Sequence, residues 1–282
     1  MIVKSTFISL LLMFGSASAE QFQAPVTHTK WEVTSSPLTC TLSQDIPDFG
    51  QAKFTKDNGN ELSLIFDTYF YPATQNNAAF EIAEAPWQNS EQRFHLLSVP
   101  TEKGQTHFEL TGPLADQALT QMQEGRFPAL RYQSKNSTEQ ISALLSTVHL
   151  ADSIVTFQKC LINLHPDTFE DMRKLTVHFA LESANLGSAT KKALNRLAAY
   201  IKIDESITRI KIIGHTDNHG RNRLNGPLSE QRSASVKNYL VELGVPEALI
   251  ITSAYRERKP KTSNKTQAGR AINRRAEIEL FR

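Results

Sequence analysis

The sequence predicts two domains of different class: a mostly-β N-terminal domain, a barrel or a sandwich with short helices, and a C-terminal α/β sandwich. Three observations lead there. The formal charge reverses along the chain, from −8 over residues 1–170 to +10 over residues 171–282. Before residue 165 the apolar residues fall in short runs parted by turn-prone pieces, the pattern of strands. Beyond it, strand-like alternation takes turns with stretches of helical period. A chain of 282 residues has room for one or two such cores. Its 40% hydrophobic content excludes a wholly disordered chain, and 12 Gly and 12 Pro give no collagen-like or low-complexity signal.

Residues 1–19 read as an address. Lys4 supplies a basic start, Phe7 to Phe14 is an apolar run too short to anchor in a bilayer, and Ala17-Ser18-Ala19 is a small-residue cleavage pattern. Cleavage after Ala19 delivers a mature chain from Glu20 to the periplasm. No cysteine stands at the cleavage point to carry a lipid, and no later run is long and apolar enough for a membrane span. Export also makes nucleic acid an unsuitable partner for the basic half; an anionic wall polymer or an acidic protein surface suits it better.

The first domain is expected over residues 20–165. Leu62 to Phe70, Phe94 to Val99, His107 to Leu110 and Ile154 to Leu164 are rich in β-branched, aromatic and leucine residues and read as strands. Lys56-Asp57-Asn58-Gly59-Asn60 and Glu102-Lys103-Gly104 read as turns between strands. Two short helices are expected near Ala115–Gln123 and Thr138–Ser146. Cys40 and Cys160 are the only cysteines, and an even number in an exported chain suggests one disulfide, stapling the last strand to the start of the domain. Two separate buried thiols are the alternative.

His165-Pro166-Asp167 reads as the hinge, because the residue before proline is pushed out of helical geometry. The second domain, 166–282, opens with Leu175, Val177 and Phe179 alternating as a strand. Ser188 is placed to cap a helix whose apolar face is Leu194, Leu197, Ala198 and Ile201. A second strand covers Ile207 to Ile213. Ser229 is placed to cap another helix, carrying Val236, Leu240 and Leu243 and ended by Gly244 and Pro246. Leu249 to Ser253 and Ala276 to Phe281 complete the strands.

The chemistry concentrates after the second of these strands. Gly214-His215-Thr216-Asp217 leaves the strand end, Asn225 follows, and Leu228-Ser229 with Arg232 marks the expected first turn of the next helix. A carboxylate facing a guanidinium holds a zwitterion: Asp217 takes an ammonium and Arg232 a carboxylate in a bidentate fork, helped by helix N-terminal amides and the Ser229 hydroxyl. A plain Asp217–Arg232 salt bridge is the simpler alternative.

These residues, with Gly269-Arg270 and Asn273-Arg274-Arg275-Ala276-Glu277-Ile278-Glu279-Leu280 further on, resemble the OmpA-like peptidoglycan-binding domain over roughly Leu175 to Phe281. The resemblance implies a site for the free amino-acid end of diaminopimelate in the wall stem peptide. It makes Asp217 and Arg232 the principal contacts, Thr216 and Asn225 supporting ones, and puts Arg274 and Arg275 at the pocket rim. The chain departs from the family pattern at Arg256, where glycine is usual, and at Ser233, where alanine is usual.

The whole layout, a cleavable leader, a mostly-β domain and an OmpA-like domain, resembles the periplasmic T-ring proteins of sodium-driven polar flagellar motors. That resemblance implies that residues 20–165 bind the flagellar basal body and a MotX-like partner. It implies also that the C-terminal domain ties the ring to peptidoglycan and supports assembly of stator units. An OmpA-like envelope tether with no flagellar role shares every C-terminal residue and differs only in the first domain.

Catalytic readings fare worse. His215 and Asp217 share one side of a strand end, but no third and fourth ligand stands at a telling spacing, so no metal is expected, and His215 is read as packing or hydrogen-bonding to order the loop. There is no G-x-S-x-G elbow, no phosphate-cradling glycine loop and no carboxylate pair near Asp217 for glycoside cleavage. A binding and tethering protein without cofactor, rather than an enzyme, is the expectation. An outer-membrane barrel in the N-terminal half would need about eight ten-residue strands, more than the sequence offers.

Overall fold

The computed structural model describes residues 19–88, 92–219 and 222–282, the last segment by backbone alone at 222 and 223. The expected leader lies outside the described residues except for Ala19. The chain divides into two units between Asn163 and Leu164.

The first unit holds β1 (Ala19–Gln23), β2 (Trp31–Ser35), β3 (Thr39–Ile46), β4 (Gly50–Asp57), β5 (Ser63–Thr68), β6 (Asn77–Ala83), β7 (Arg93–Pro100), β8 (His107–Thr111), helix α1 (Pro113–Gln123), β9 (Phe127–Gln133), β10 (Gln140–Leu144) and helix α2 (Leu150–Ile162). They form two five-stranded sheets, β1-β10-β9-β6-β7 and β2-β3-β4-β5-β8. Strand alternation explains the core. Leu42, Phe54, Leu64 and Phe66 are buried from one sheet, and Phe80, Leu130 and Tyr132 from the other. The two sheets meet through rings, Phe66 against Phe80 at 6.3 Å and Phe108 against Tyr132 at 4.5 Å between centroids. Each fully buried phenylalanine contributes about 1.5–3 kcal/mol relative to an exposed one.

Three local expectations are corrected here. Ile154 to Leu164 is not a strand: most of it lies in α2, where Leu150, Phe157 and Cys160 fall on one buried helical stripe. Thr138–Ser146 is not a helix but contains β10, paired in parallel with β1 and antiparallel with β9. Cys40 and Cys160 are disulfide-bonded with Cα atoms 5.8 Å apart, but the bond joins β3 to a helix rather than strand to strand.

The second unit holds helix α3 (Phe169–Met172), β11 (Lys174–His178), helix α4 (Ser188–Ile203), β12 (Arg209–His215), helix α5 (Asn222–Glu242), β13 (Ile250–Arg256), helix α6 (Gln267–Asn273) and β14 (Arg275–Phe281). The sheet order is β11-β14-β12-β13: β12 and β13 are parallel across the α5 crossover, and β14 runs antiparallel to both of its neighbours. Ile210, Ile212, Ile278 and Leu280 are buried from the sheet, Leu194, Leu197 and Ile201 from α4, and Val236 and Leu240 from α5.

Neither expected serine cap forms. Gly187 is the N-cap of α4 and offers no side chain. Ser229 lies inside α5, which begins earlier, at Asn222, and carries Pro227 within it. The Ser229 hydroxyl donates back to the Gly226 carbonyl at 2.8 Å instead of capping an amide. Gly214 sets the distance between β12 and α5. A Cβ at Gly214 would stand 1.9 Å from the Ser229 carbonyl oxygen, so only glycine lets strand end and helix come this close.

Candidate functional site

The end of β12 and the following loop deliver His215, Thr216 and Asp217, all buried. Against them α5 presents Asn225 and Arg232, and the junction of α6 with β14 presents Arg274. Thr216, Asp217, Asn225, Arg232 and Arg274 therefore share one end of the sheet. Asn225 Nδ2 donates to the Asp217 carbonyl at 3.4 Å, and the His219 amide donates to Asp217 Oδ1 at 3.0 Å.

The expected face-off of Asp217 with Arg232 takes a different form. Asp217 is ion-paired with Arg274, Nη1 to Oδ2 at 2.9 Å, with side chains only 5% and 14% exposed. Arg274 Nε also donates to the Phe179 carbonyl at 3.2 Å, which fixes the guanidinium in place. Arg232 is not on a first helical turn but midway along α5, and it is fully buried. It donates to three carbonyls: Nε to Ser183 at 2.9 Å, Nη1 to His215 at 2.8 Å and Nη2 to Ala180 at 3.2 Å. Its guanidinium also lies over the Phe179 ring, 5.2 Å from the centroid. Burial lowers its pKa to about 10, with Asp217 opposing the shift and Arg274 adding to it, so Arg232 remains a cation at neutral pH. Arg232 thus ties the 180–183 segment, the end of β12 and α5 together. The Ser229 hydroxyl is turned back to the Gly226 carbonyl.

Arg274 and Arg275 do not act as one rim. Consecutive residues at a strand start point to opposite faces. Arg275 bonds to Glu277 Oε1 at 2.7 Å and to the Lys259 carbonyl at 3.2 Å. His215 does not hydrogen-bond to order the loop. Among the described residues neither ring nitrogen has a hydrogen-bond partner, and the ring packs edge-on against Tyr255 at 5.8 Å. Burial pushes its pKa down to about 4, aided by Arg275 and Lys259 and opposed by Glu277, 3.7 Å away. Among the described residues no group of three His, Cys, Asp or Glu side chains is placed to hold a metal.

The site is a charged niche. Its acid already has one cationic partner, its central arginine is a structural donor, and among the described residues Thr216 Oγ1 is buried without a partner, a polar atom available to a ligand. Sequence reasoning missed the Arg274–Asp217 pair. The signal was present in the asparagine-arginine-arginine element, but which of two adjacent arginines turns inward depends on where β14 begins.

Residues 22–166 match the family described as the MotY N-terminal domain, and residues 178–274 match the OmpA family. The sodium-type flagellar protein MotY of Vibrio parahaemolyticus is 29% identical over 287 aligned residues, covering 100% of this chain and 98% of that protein. The peptidoglycan-binding protein ArfA of Mycobacterium tuberculosis is 41% identical over 102 residues, 36% of this chain and 31% of that one. Among solved structures, the peptidoglycan-associated lipoprotein of Burkholderia pseudomallei matches 38% of this chain and 89% of its own, with 28% identity and a TM-score of 0.36.

Proposed function

Since the chain belongs to the MotY N-terminal domain family and carries an OmpA-family domain after it, we propose that it is a periplasmic structural protein of a sodium-driven flagellar motor. In this reading residues 20–165 bind the basal body and a MotX-like partner, and residues 166–282 grip peptidoglycan, so that a basal-body ring is fixed to the wall and stator units assemble against it. No catalytic step is needed. Among the described residues no helix is long and apolar enough to cross a membrane. The observation that carries the reading is the alignment of both halves, in order and over full length, with a sodium-type flagellar MotY.

The wall grip is assigned to the niche around Asp217. The free end of diaminopimelate is a zwitterion. Its ammonium suits the Asp217 carboxylate, shared with Arg274, while Thr216 Oγ1 and Asn225 add polar contacts. Many such grips around a ring act together, so that avidity exceeds the affinity of one site.

Two assays test the two halves. Full-length mature protein should sediment with purified sacculi without lowering their turbidity, and Asp217→Asn, checked for folding, should sediment less. Clearing of the suspension would mean a hydrolase, and equal pelleting of the folded variant would remove Asp217 from the grip. The flagellar half stands if the protein co-purifies with basal bodies. Its absence from them, with normal swimming of a deletion strain, would leave an envelope tether without motor function.

A further inference from the structure

β13 lies parallel to β12 with a break in register: Gly214 pairs with Ala254 but His215 pairs with Arg256, so Tyr255 is an extra, bulged residue. The bulge leaves Arg256 at φ 56°, the left-handed region where glycine is favoured and where the OmpA-like sequence pattern has glycine. The strain has a definite geometric result. The Arg256 carbonyl accepts from the Thr216 amide at 3.1 Å, beside Asp217, and the side chain crosses to α5 at Gly226, beside Asn225. A Cβ at Gly226 would stand 3.3 Å from Arg256 Nε and 3.4 Å from Nη2, so glycine inside the helix makes room for the guanidinium. Two locally unfavourable choices, an arginine in a glycine conformation and a glycine inside a helix, together seat one cation at the edge of the niche.

The charge of that cation is uncommitted. Arg274 is paired with Asp217, Arg275 with Glu277, and Arg232 is bonded to three carbonyls. Among the described residues, the half-buried Arg256 guanidinium has neither an ion pair nor a hydrogen bond. We propose that Arg256 is a second anion-binding arm of this site, taking in bidentate fashion a carboxylate of the wall peptide other than the one in its zwitterionic end. The proposal rests on the wall-binding reading above and adds to it a contact at a position where the OmpA-like pattern has glycine. Strained backbone is retained where it places a functional group, and here the group placed is a guanidinium that, among the described residues, is free beside Asp217 and Asn225.

The test uses full-length mature protein and its Arg256→Gly and Arg256→Lys variants, with purified sacculi and with a soluble stem tripeptide whose carboxylates outside the zwitterionic end are free or amidated. Arg256→Gly should melt at a higher temperature than the wild type, because glycine relieves the φ 56° strain, yet bind the free-carboxylate tripeptide about tenfold more weakly. Arg256→Lys should retain part of that affinity, and the amidated tripeptide should bind wild type and Arg256→Gly alike. A purely structural Arg256 gives the rise in melting without the loss of binding, and that result overturns the proposal, as does a tenfold difference that persists on the amidated tripeptide. Failure of the wild type to bind sacculi or tripeptide would overturn the wall-binding reading itself and this assignment with it.

Discussion

Arg274 Nη1 lies 2.9 Å from Asp217 Oδ2, and both side chains are withdrawn from solvent. The Asp217 carboxylate is thus held by a residue 57 positions later in the chain, immediately before the last strand. Closing the sheet with β14 is what completes the site. Removing one partner of such a pair leaves a buried charge unmatched, which costs about 3–5 kcal/mol, whereas removing both costs less. Arg274→Gln should therefore destabilise the second unit by roughly 3 kcal/mol, and Arg274→Gln/Asp217→Asn by clearly less than the sum of the single changes. Urea unfolding of the four proteins in a double-mutant cycle measures this coupling; additive losses would show that the pair contributes nothing.

Arg232 makes a different prediction. Its three carbonyl bonds reach the 180–183 segment and the end of β12 from the middle of α5. Truncation leaves these acceptors unpaired beside a cavity, so Arg232→Ala should destabilise by about 3 kcal/mol or more. Arg232→Lys should recover little of it, because one ammonium does not reproduce a fork that reaches three carbonyls. Loss of wall binding in Arg232→Ala, without a stability measurement beside it, says nothing about ligand contact. Thermal melts and amide exchange at residues 180–183 separate the two effects.

How far the sequence shows all this depends on how local each feature is. Helix α4 is legible because Leu194, Leu197, Ala198 and Ile201 repeat within one element. Strand β10 is not, because Ile141 and Ala143 acquire meaning only from partners in β1, more than 100 residues earlier, and in β9. The apolar Ile154 and Val155 suggested a strand, but Leu150, Phe157 and Cys160 placed the buried stripe at helical spacing. In the site, the cluster Gly214 to Asp217 with Asn225 and Arg232 is visible as a string of residue types. What the string does not encode is the hydrogen-bond partner of each cation: Arg232 turned to backbone carbonyls and Arg274 to Asp217.

His215 predicts a pH dependence. Its ring is buried without hydrogen bonds, and burial, Arg275 and Lys259 hold its pKa at about 4 against 6.5 for a free imidazole. Between these values the unfolded chain binds a proton that the folded one refuses, so stability rises with pH across this window. Acidification from pH 6.5 to 4 should then remove roughly 2–3 kcal/mol. His215→Phe, which keeps a flat ring beside Tyr255, should flatten this limb of the stability profile. An unchanged slope in the variant would assign the acid sensitivity to other groups.

The disulfide should act on one unit only. Cys40 and Cys160 both lie before Asn163, and their bond closes a loop of 120 residues inside the first unit. Such closure stabilises by about 2–5 kcal/mol through the unfolded chain. Calorimetry of the mature protein should show two transitions, and reductant or Cys40→Ser should lower one of them while leaving the other in place. A single transition moving as a whole would mean that the two units unfold together.

Gly214 offers the sharpest steric test. A methyl group there would meet the Ser229 carbonyl oxygen at 1.9 Å, a distance that only movement of β12 or α5 can relieve. Because α5 carries Asn225 and Arg232, and β12 leads into Thr216 and Asp217, that movement pulls the site apart as it loosens the core. Gly214→Ala should cost on the order of 3 kcal/mol and abolish sedimentation with sacculi even below the melting temperature. Gly187 is the contrasting case: it is an N-cap with φ −69° and ψ 166°, and nothing lies within 4 Å of an added Cβ. Gly187→Ser supplies the missing cap and should stabilise α4 by a few tenths of a kcal/mol with wall binding unchanged. If both substitutions proved neutral, the close approach of β12 to α5 at Gly214 would not be what positions the site.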